Sequence, residues 1–335
     1  MSDLKVGIVG GGAIAQVAHL PVLKKLKGTD VRAVCDTDLP KARALANRFG
    51  VPNAFDDIED LLDSEELDAV VLCTPNHLHE SHILAALSAG LHVLVEKPLA
   101  TTTASVQKVI RAAEKKDRVV MVGLNHRYRH DVQLVRSFVQ SGELGTIDSV
   151  RGSWHVFRPS RSQLGWRTRR ELSGGGAMLD LGLTVLDLML WLAGNPEPAR
   201  VSAVLEGGGK ERGVEQSGSA FVACENGAAL FLDVTWHHVG EGERFGVGLR
   251  GSKGTAGINP LRVWKELNGT PTDVAPTGSS SRESAFTASY RAEWAHFLAA
   301  IRGEAKAPSL QEHLTLHRIL DAIYKSAAEG RDVAL

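Results

Sequence analysis

Gly10, Gly12 and Ala15 stand at the spacing of a G-x-G-x-x-A turn, between the apolar run Val6–Val9 and the helical start Ala13-Ile14-Ala15. A strand, a glycine turn and a helix in that order suit a pyrophosphate. Gly10 permits the tight turn, Gly12 lets backbone approach the phosphates, and Ala15 is small enough for close helix–strand packing. The amides of Ala13 and Ile14 at the helix start would hold the anion, helped by the helix dipole. Asp36 closes the next apolar run, Val31–Val34. A carboxylate there hydrogen-bonds a ribose 2′-hydroxyl and repels a 2′-phosphate, so the pattern points to NAD. Lys41 and Arg43 leave NADP open as the less favoured cofactor, and a solvated turn aspartate is the plainer alternative.

Two further stretches follow apolar runs, at strand ends where ligands bind in open α/β sheets. Thr74-Pro75-Asn76-His77-Leu78-His79 follows Ala69–Leu72 and reads as a loop touching the cofactor or capping a helix, with Thr74, Pro75, Asn76 and His79 as its contacts. His77, His79 and His82 do not share a helix face and lack a partner motif, so no metal is expected. Val95-Glu96-Lys97-Pro98 places an acid and a base at a buried strand end, where Glu96 and Lys97 are both expected to touch the cofactor, a costly arrangement unless paired or used. Pro98 confines Lys97 to extended backbone. A lysine beside an oxidised nicotinamide in a desolvated site loses its proton more readily and becomes a usable acid or base. The alternative for Glu96 and Lys97 is a surface ion pair.

The elements that must position these groups can be read from the pattern. The runs Val6–Val9, Val31–Val34, Ala69–Leu72, Val93–Val95 and Val119–Val122 are apolar without a period of two, as in parallel strands buried on both faces. Helical spacing over Lys41–Phe49, His79–Ala89 and Thr102–Lys116 alternates with them, which predicts a doubly wound sheet. Pro21 should bend or restart the first helix. Past residue 150 the pattern becomes that of a mostly antiparallel sheet. Val150–Phe157 alternates, Asn226-Gly227 marks a hairpin between Gly218–Cys224 and Ala228–Trp236, and Gly251–Gly254 joins Phe245–Arg250 to Thr255–Ile258. Ala177–Leu192, Ser289–Ile301 and Glu312–Ala328 read as helices, and Asn268–Ser284 as a mobile loop. The fold expected is α/β: a Rossmann domain over residues 1–123, then an α+β domain over 124–335 with a large open sheet, the C-terminal helices packing back on the first domain.

The pieces Gly7–Ala15, Thr74–His79, Glu96-Lys97-Pro98, Trp166-Arg167, Gly174-Gly175-Gly176-Ala177-Met178-Leu179-Asp180-Leu181-Gly182 and Gly251–Thr255 together resemble the glucose–fructose oxidoreductase, inositol dehydrogenase and MocA (Gfo/Idh/MocA) family. The resemblance implies nicotinamide-dependent oxidation or reduction of a sugar, cyclitol or related polyol by a dimer or tetramer. It departs from the family at one place. The family's Asp-x-Gly-x-His becomes Asp180-Leu181-Gly182-Leu183-Thr184, so the imidazole is replaced by a hydroxyl that cannot act as a base near neutral pH. Asp180, Thr184 and Asp187 form one helical stripe expected to face a polar cleft. Catalytic roles fall to Lys97, Asp180 and Thr184. Lys97 exchanges the hydroxyl proton, Asp180 pairs with it or holds a neighbouring hydroxyl, and Thr184 contacts substrate. Trp166 and Arg167 would shape the pocket over the nicotinamide, and His126 or His155 would stand in for the missing imidazole near the substrate.

Composition narrows the rest. A net charge of −1 gives no electrostatic case for nucleic acid or a charged membrane. Cys35, Cys73 and Cys224 are far apart without CxxC spacing, Cys35 and Cys73 in expected buried strands read as packed thiols in a reducing compartment, and the strand pattern beginning near Met1 leaves no signal peptide; the expectation is cytoplasmic. The apolar helix Ala177–Leu192 carries Asp180 and Asp187, against a membrane span. The open sheet needs cover, which points to a homodimer or homotetramer. Arg158, Arg161, Arg167, Arg169 and Arg170 suit either an acidic or phosphorylated sugar or a solvated basic loop. Two other functions fit parts of the pattern: sugar elimination or hydrolysis through transient oxidation by bound NAD, and a regulator that binds NAD or sugar without catalysis, motivated by Thr184.

Overall fold

The computed structural model describes residues 3–64, 66–158, 161–207, 213–276 and 283–335; the side chains of residues 64 and 161–164 lie outside that description. The chain divides into two compact units, Met1–Arg129 with Glu283–His313, and His130–Arg282 with Leu314–Leu335.

The first unit begins with β1 (Leu4–Val9), the glycine turn, a wide π turn over Ala15–His19, and α1 (Leu20–Leu23). Pro21 sits in the first turn of α1, where its missing N–H is no loss, so the helix restarts there as its position predicts. The unit continues through β2 (Thr29–Cys35), α2 (Leu39–Phe49), β3 (Asn53–Phe55), α3 (Ile58–Ser64), β4 (Ala69–Leu72), α4 (His79–Ser88), β5 (His92–Glu96), α5 (Thr103–Lys115) and β6 (Val120–Gly123). All six strands pair in parallel, in the order β3-β2-β1-β4-β5-β6. The central strands are covered on both faces, which is why their runs are continuous rather than alternating: Val70, Val71, Leu72, Val93, Leu94 and Val95 have no exposed surface. The order reverses between β1 and β4, and the crevice beyond their carboxyl ends is where such sheets take ligands. β3 escapes the sequence reading because it is a three-residue, half-buried edge strand with no apolar run.

The second unit opens with α6 (His130–Gln140), β7 (Ile147–His155), α7 (Arg170–Ser173) and a π turn over Met178–Gly182 that runs into α8 (Leu183–Leu192). Seven strands follow: β8 (Pro198–Glu206), β9 (Ser217–Cys224), β10 (Ala229–Thr235), β11 (Arg244–Gly251), β12 (Gly254–Ile258), β13 (Arg262–Leu267) and β14 (Thr270–Asp273). The two hairpins expected at Asn226-Gly227 and Gly251–Gly254 are present. The stretch expected as a mobile loop is partly strand, since Thr270–Asp273 pairs with β13 around the turn at Asn268-Gly269; residues 277–282 of that stretch lie outside the described residues. Among the described residues of this sheet, the β7–β10 pair is parallel and the other pairs are antiparallel. One face of the sheet carries Val150, Gly152, Leu230 and Leu232 against α8, so closely that a Cβ on Gly152 would lie 2.4 Å from Val185. The helical run Arg170–Leu192 is long and apolar enough to cross a membrane, but 89% of its apolar window is buried as a core helix.

The chain then returns to the first unit as α9 (Ala285–Ile301), whose Tyr290, Trp294 and Phe297 join the core of the parallel-sheet layer beside Ala18, Leu20 and Leu23. After α10 (Leu310–Glu329), β15 (Val333–Ala334) pairs with β8 and completes a nine-stranded sheet, β14-β13-β12-β11-β7-β10-β9-β8-β15.

Candidate active site

The glycine turn is built by three different constraints. Gly10 has φ 96°, and a Cβ there would come within 2.7 Å of the Cys73 backbone at the end of β4, so no side chain fits. A Cβ on Gly11 would meet Leu45 at 2.7 Å. Gly12 differs: nothing lies nearer than 4.0 Å to where its Cβ would be. Packing does not require a glycine at this position, whereas close approach of a pyrophosphate does. No side chain caps the helix that starts here, which would leave the amides of Ala13 and Ile14 to a phosphate. Asp36 is tied to this turn. Its Oδ2 accepts the Gly11 N–H at 2.8 Å and pairs with Lys41 Nζ at 2.7 Å, while Oδ1 accepts the Asp38 N–H at 3.0 Å. The carboxylate therefore stands at the end of β2 beside the turn, as a 2′-hydroxyl acceptor must, and Lys41 is held against it. These residues fit an NAD.

Lys97 follows β5 on the same carboxyl edge, half-buried, and its bond to Pro98 is cis. Glu96 does not share its environment. Its Oε1 accepts from His19 Nε2–H at 3.0 Å and from the Tyr290 hydroxyl at 3.3 Å. Trp294 Nε1–H donates to His19 Nδ1 at 3.0 Å. An indole N–H only donates, so Nδ1 must be bare and the proton sits on Nε2, facing Glu96. Burial opposes charge on Glu96, but the His19 hydrogen bond and the nearby charge of Lys97 outweigh it and hold the carboxyl below its ordinary range. Glu96, expected to touch the cofactor, thus directs its carboxylate into the core. Glu293, one turn from Tyr290 on α9, is fully buried, and among the described residues its oxygens meet no hydrogen-bonding side chain; burial first, and then the charge of Glu96, push its carboxyl well above the usual range against the pull of the Leu124 backbone.

The Thr74–His79 loop carries the remaining cofactor assignments. Pro75 and Asn76 start a short 3-10 turn ahead of α4, and the Thr74 hydroxyl meets His82 Nδ1 at 3.2 Å. His79, expected to touch the cofactor, has no exposed surface; both ring nitrogens face backbone carbonyls, so its role is internal. His126 lies in the turn Asn125–Tyr128 after β6, half-buried.

In the second unit the glycine run is required by close approach. A Cβ on Gly176 would fall 1.9 Å from the Glu215 carbonyl, and one on Gly175 would fall 2.1 Å from the Tyr324 hydroxyl. Glu215 Oε1 accepts the N–H groups of Gly176 at 2.7 Å and Met178 at 3.1 Å, together with the Tyr324 O–H at 2.8 Å. It is the cap of the helix that carries Asp180. Burial raises its pKa, partly offset by those donors. Asp180 lies in the π turn, and its Oδ2 accepts from Arg158 Nη2 and Trp236 Nε1–H, both at 3.2 Å.

Three expectations for this unit are corrected. Thr184 and Asp187 are each 3% exposed and do not line an open cleft; Thr184 Oγ1 has no hydrogen-bond partner among the described residues. His155 cannot stand in for an imidazole beside Asp180. It pairs with Asp233 at 2.7 Å on the sheet face opposite the one packed on α8, because alternation along β7 puts it with Arg151 and Ser153 rather than with Gly152. The arginine cluster is not one basic surface: Arg158 is on Asp180, Arg167 lies 4.6 Å over Trp166, and Arg170 lies 5.3 Å over Tyr324. The Arg161 side chain is outside the described residues.

Sequence reasoning missed His19, Tyr290, Trp294, Glu215 and Trp236. Their partners lie far away in the chain, so the local pattern gives little sign of them. The available signal was a polar side chain inside an otherwise apolar helical stretch, as with His19 between Ala18 and Leu20.

The Gfo/Idh/MocA NAD-binding Rossmann-fold oxidoreductase model matches residues 4–124, and the GFO/IDH/MocA C-terminal domain model matches residues 132–257. D-glucoside 3-dehydrogenase of Escherichia coli K12 is 29% identical, covering 100% of this chain and 98% of that one. 1,5-Anhydro-D-fructose reductase of Ensifer adhaerens is 32% identical over 68% of each chain. Among solved structures, levoglucosan dehydrogenase in complex with NADH and levoglucosan superposes with a TM-score of 0.90 at 25% identity, covering 99% of both chains.

Proposed function

Because this chain belongs to the Gfo/Idh/MocA oxidoreductase family, we propose that it is an NAD-dependent dehydrogenase of a sugar, inositol or related polyol. The observation that carries the reading is the division of labour at the end of β5. Glu96 is committed to His19 and Tyr290 in the core, and Lys97 is the ionisable residue of the pair placed at the ligand-taking edge. Bound NAD supplies the hydride acceptor. Gly10, Gly12, Ala13 and Ile14 hold its pyrophosphate and Asp36 its ribose, with Thr74, Pro75 and Asn76 lining the next loop. Lys97 takes the proton from the hydroxyl whose carbon gives up hydride, and returns it in the reverse direction.

In the second unit, substrate hydroxyls are assigned to Asp180 and to the Arg158 guanidinium it holds. The guanidinium keeps its charge at any working pH, so it can orient an oxygen but cannot exchange its proton. The buried Thr184 Oγ1 is a group that a bridging water or a substrate hydroxyl would satisfy. Trp166 and Arg167 are assigned to the pocket wall, and His126 to a substrate contact.

The outer face of the nine-stranded sheet, with Val204 73% exposed, supports a homodimer or homotetramer. Three free cysteines, with the Cys35 and Cys224 thiols pushed by burial up to about 12 and about 11, support a reducing, cytoplasmic setting.

The test is a screen of polyols, methyl glucosides, anhydrosugars and sugar acids with NAD and NADP in parallel, followed by Lys97→Ala on the best substrate. The variant should lose about 100-fold or more in kcat; turnover within a few-fold of wild type would end the proton-transfer role of Lys97.

A further inference from the structure

His79 is the first residue of α4 and is completely buried. Its Nε2 lies 2.9 Å from the Thr74 carbonyl oxygen and its Nδ1 lies 2.6 Å from the Pro98 carbonyl oxygen. Thr74 belongs to the turn after β4 and Pro98 to the turn after β5, so one ring spans the loops at the ends of two adjacent strands. A carbonyl oxygen only accepts, and a neutral imidazole has a single N–H. The double bridge is therefore complete only when both ring nitrogens are protonated.

The surroundings pull the proton both ways. Burial acts against the cation most strongly, and the N-terminus of α4 opposes it as well. The two carbonyls and the Glu96 carboxylate favour it, whereas His77 from the preceding turn disfavours it. His82, one turn along α4, is itself depressed by burial and by charge on His79 and His77. The balance holds His79 below its ordinary value.

We propose that His79 is a positioning residue for Lys97, acting through the Pro98 carbonyl: the doubly protonated ring ties the turn after β5 to the turn after β4, and loss of one proton releases one of the two carbonyls. His79 touches neither substrate nor cofactor in this scheme. The proposal rests on the assignment of Lys97 to the reacting end. It adds a group that sets the lysine's geometry and makes that geometry respond to pH.

The deciding experiment is nitrogen-15 NMR of histidine-labelled full-length protein with NADH, from about pH 5 to about pH 8, the range in which histidine changes charge. His79 is assigned by the signal missing in His79→Gln. Expected are two protonated ring nitrogens at the acid end, one at the alkaline end, and a midpoint below the ordinary histidine value. The backbone amides of Glu96, Lys97 and Leu99 should shift with the same midpoint in wild type and lose that transition in His79→Gln, whose single amide can serve only one carbonyl. A ring that keeps one proton throughout, or amides at 96–99 that ignore its titration, would overturn the proposal. At the acid end of that range, in turnover with NAD and methyl α-D-glucoside, His79→Gln should lower kcat by about 10–100-fold, the usual effect of misplacing a reacting group, and the difference should shrink at the alkaline end, while the NADH dissociation constant stays within about threefold. Equal kcat in wild type and variant at the acid end would also overturn it. Absence of turnover in the wild-type protein would instead count against the assigned activity, and the ring titration alone would then decide the role of His79.

Discussion

Glu215 accepts the Gly176 N–H at 2.7 Å and in doing so caps the helix on which Asp180 lies. Two buried amides and a tyrosine hydroxyl converge on one carboxylate oxygen, so removal and neutralisation of this residue should have opposite effects. Glu215→Ala leaves the Gly176 and Met178 donors unsatisfied, at about 1–3 kcal/mol each, and should lower the urea midpoint sharply. Glu215→Gln keeps the acceptor and removes the charge. The folded-state pKa is raised, so the favourable contribution of this acid is complete below its unfolded value and is lost as pH rises through the folded value. Glu215→Gln should accordingly match wild type near pH 4 and be more stable at neutral pH. Urea titrations at both pH values check the sign, and greater stability of wild type at neutral pH would contradict it.

Glu96 shows the converse. Its carboxyl is depressed in the folded protein, so its contribution is present above its unfolded value and disappears as pH falls through the folded one. Glu96→Gln weakens a charge-assisted bond to His19 and should cost about 1–3 kcal/mol at pH 7. The gap should narrow on acidification below the ordinary glutamate range. A gap that stays constant down to acid denaturation would show that the carboxylate is not what His19 stabilises.

The two glycines Gly12 and Gly176 separate binding from folding. A Cβ on Gly176 would lie 1.9 Å from a backbone oxygen, and Gly176→Ala should cost about 3 kcal/mol or more, with loss of soluble expression as the extreme. Around Gly12 the nearest atom is 4.0 Å away, and Gly12→Ala should fold normally. Its NADH affinity, read by cofactor fluorescence, should nevertheless drop about tenfold or more, because the added methyl stands where a pyrophosphate approaches. Unchanged affinity would remove Gly12 from the cofactor site.

The proposed preference for NAD rests on Asp36. Asp36→Asn keeps an acceptor for the Gly11 N–H and releases Lys41 from its ion pair. The ratio of kcat/KM for NADP to that for NAD should rise about tenfold or more, since a like-charge clash is replaced by an available cation. A ratio that does not move would mean that Asp36 serves only the turn.

Much of this arrangement is readable along the chain because it is local. Val70-Val71-Leu72 reads as strand buried on both faces and Asn226-Gly227 as a tight hairpin, since each signal depends on residues a few positions apart, and Gly10 and Asp36 each follow such an apolar run, as a phosphate turn and its ribose partner would. The tertiary structure decided which side chains those elements hand to one another. Trp294 fixes the proton on His19 from 275 residues away, and Glu215 caps a helix by accepting the N–H of Gly176, 39 residues earlier. His155 carries the right chemistry, but the alternation of β7 places it on the far face of the sheet from Asp180, beside Asp233. His79 looked like a ligand contact because of its neighbours in the chain, and its burial between the Thr74 and Pro98 carbonyls makes it a structural bridge. Backbone conformation follows from nearest-neighbour sterics and apolar period, which the sequence by itself determined. The partner of a buried polar group is chosen by whichever donor or acceptor the packed layers bring within 3 Å, and that choice exists only once the chain has folded.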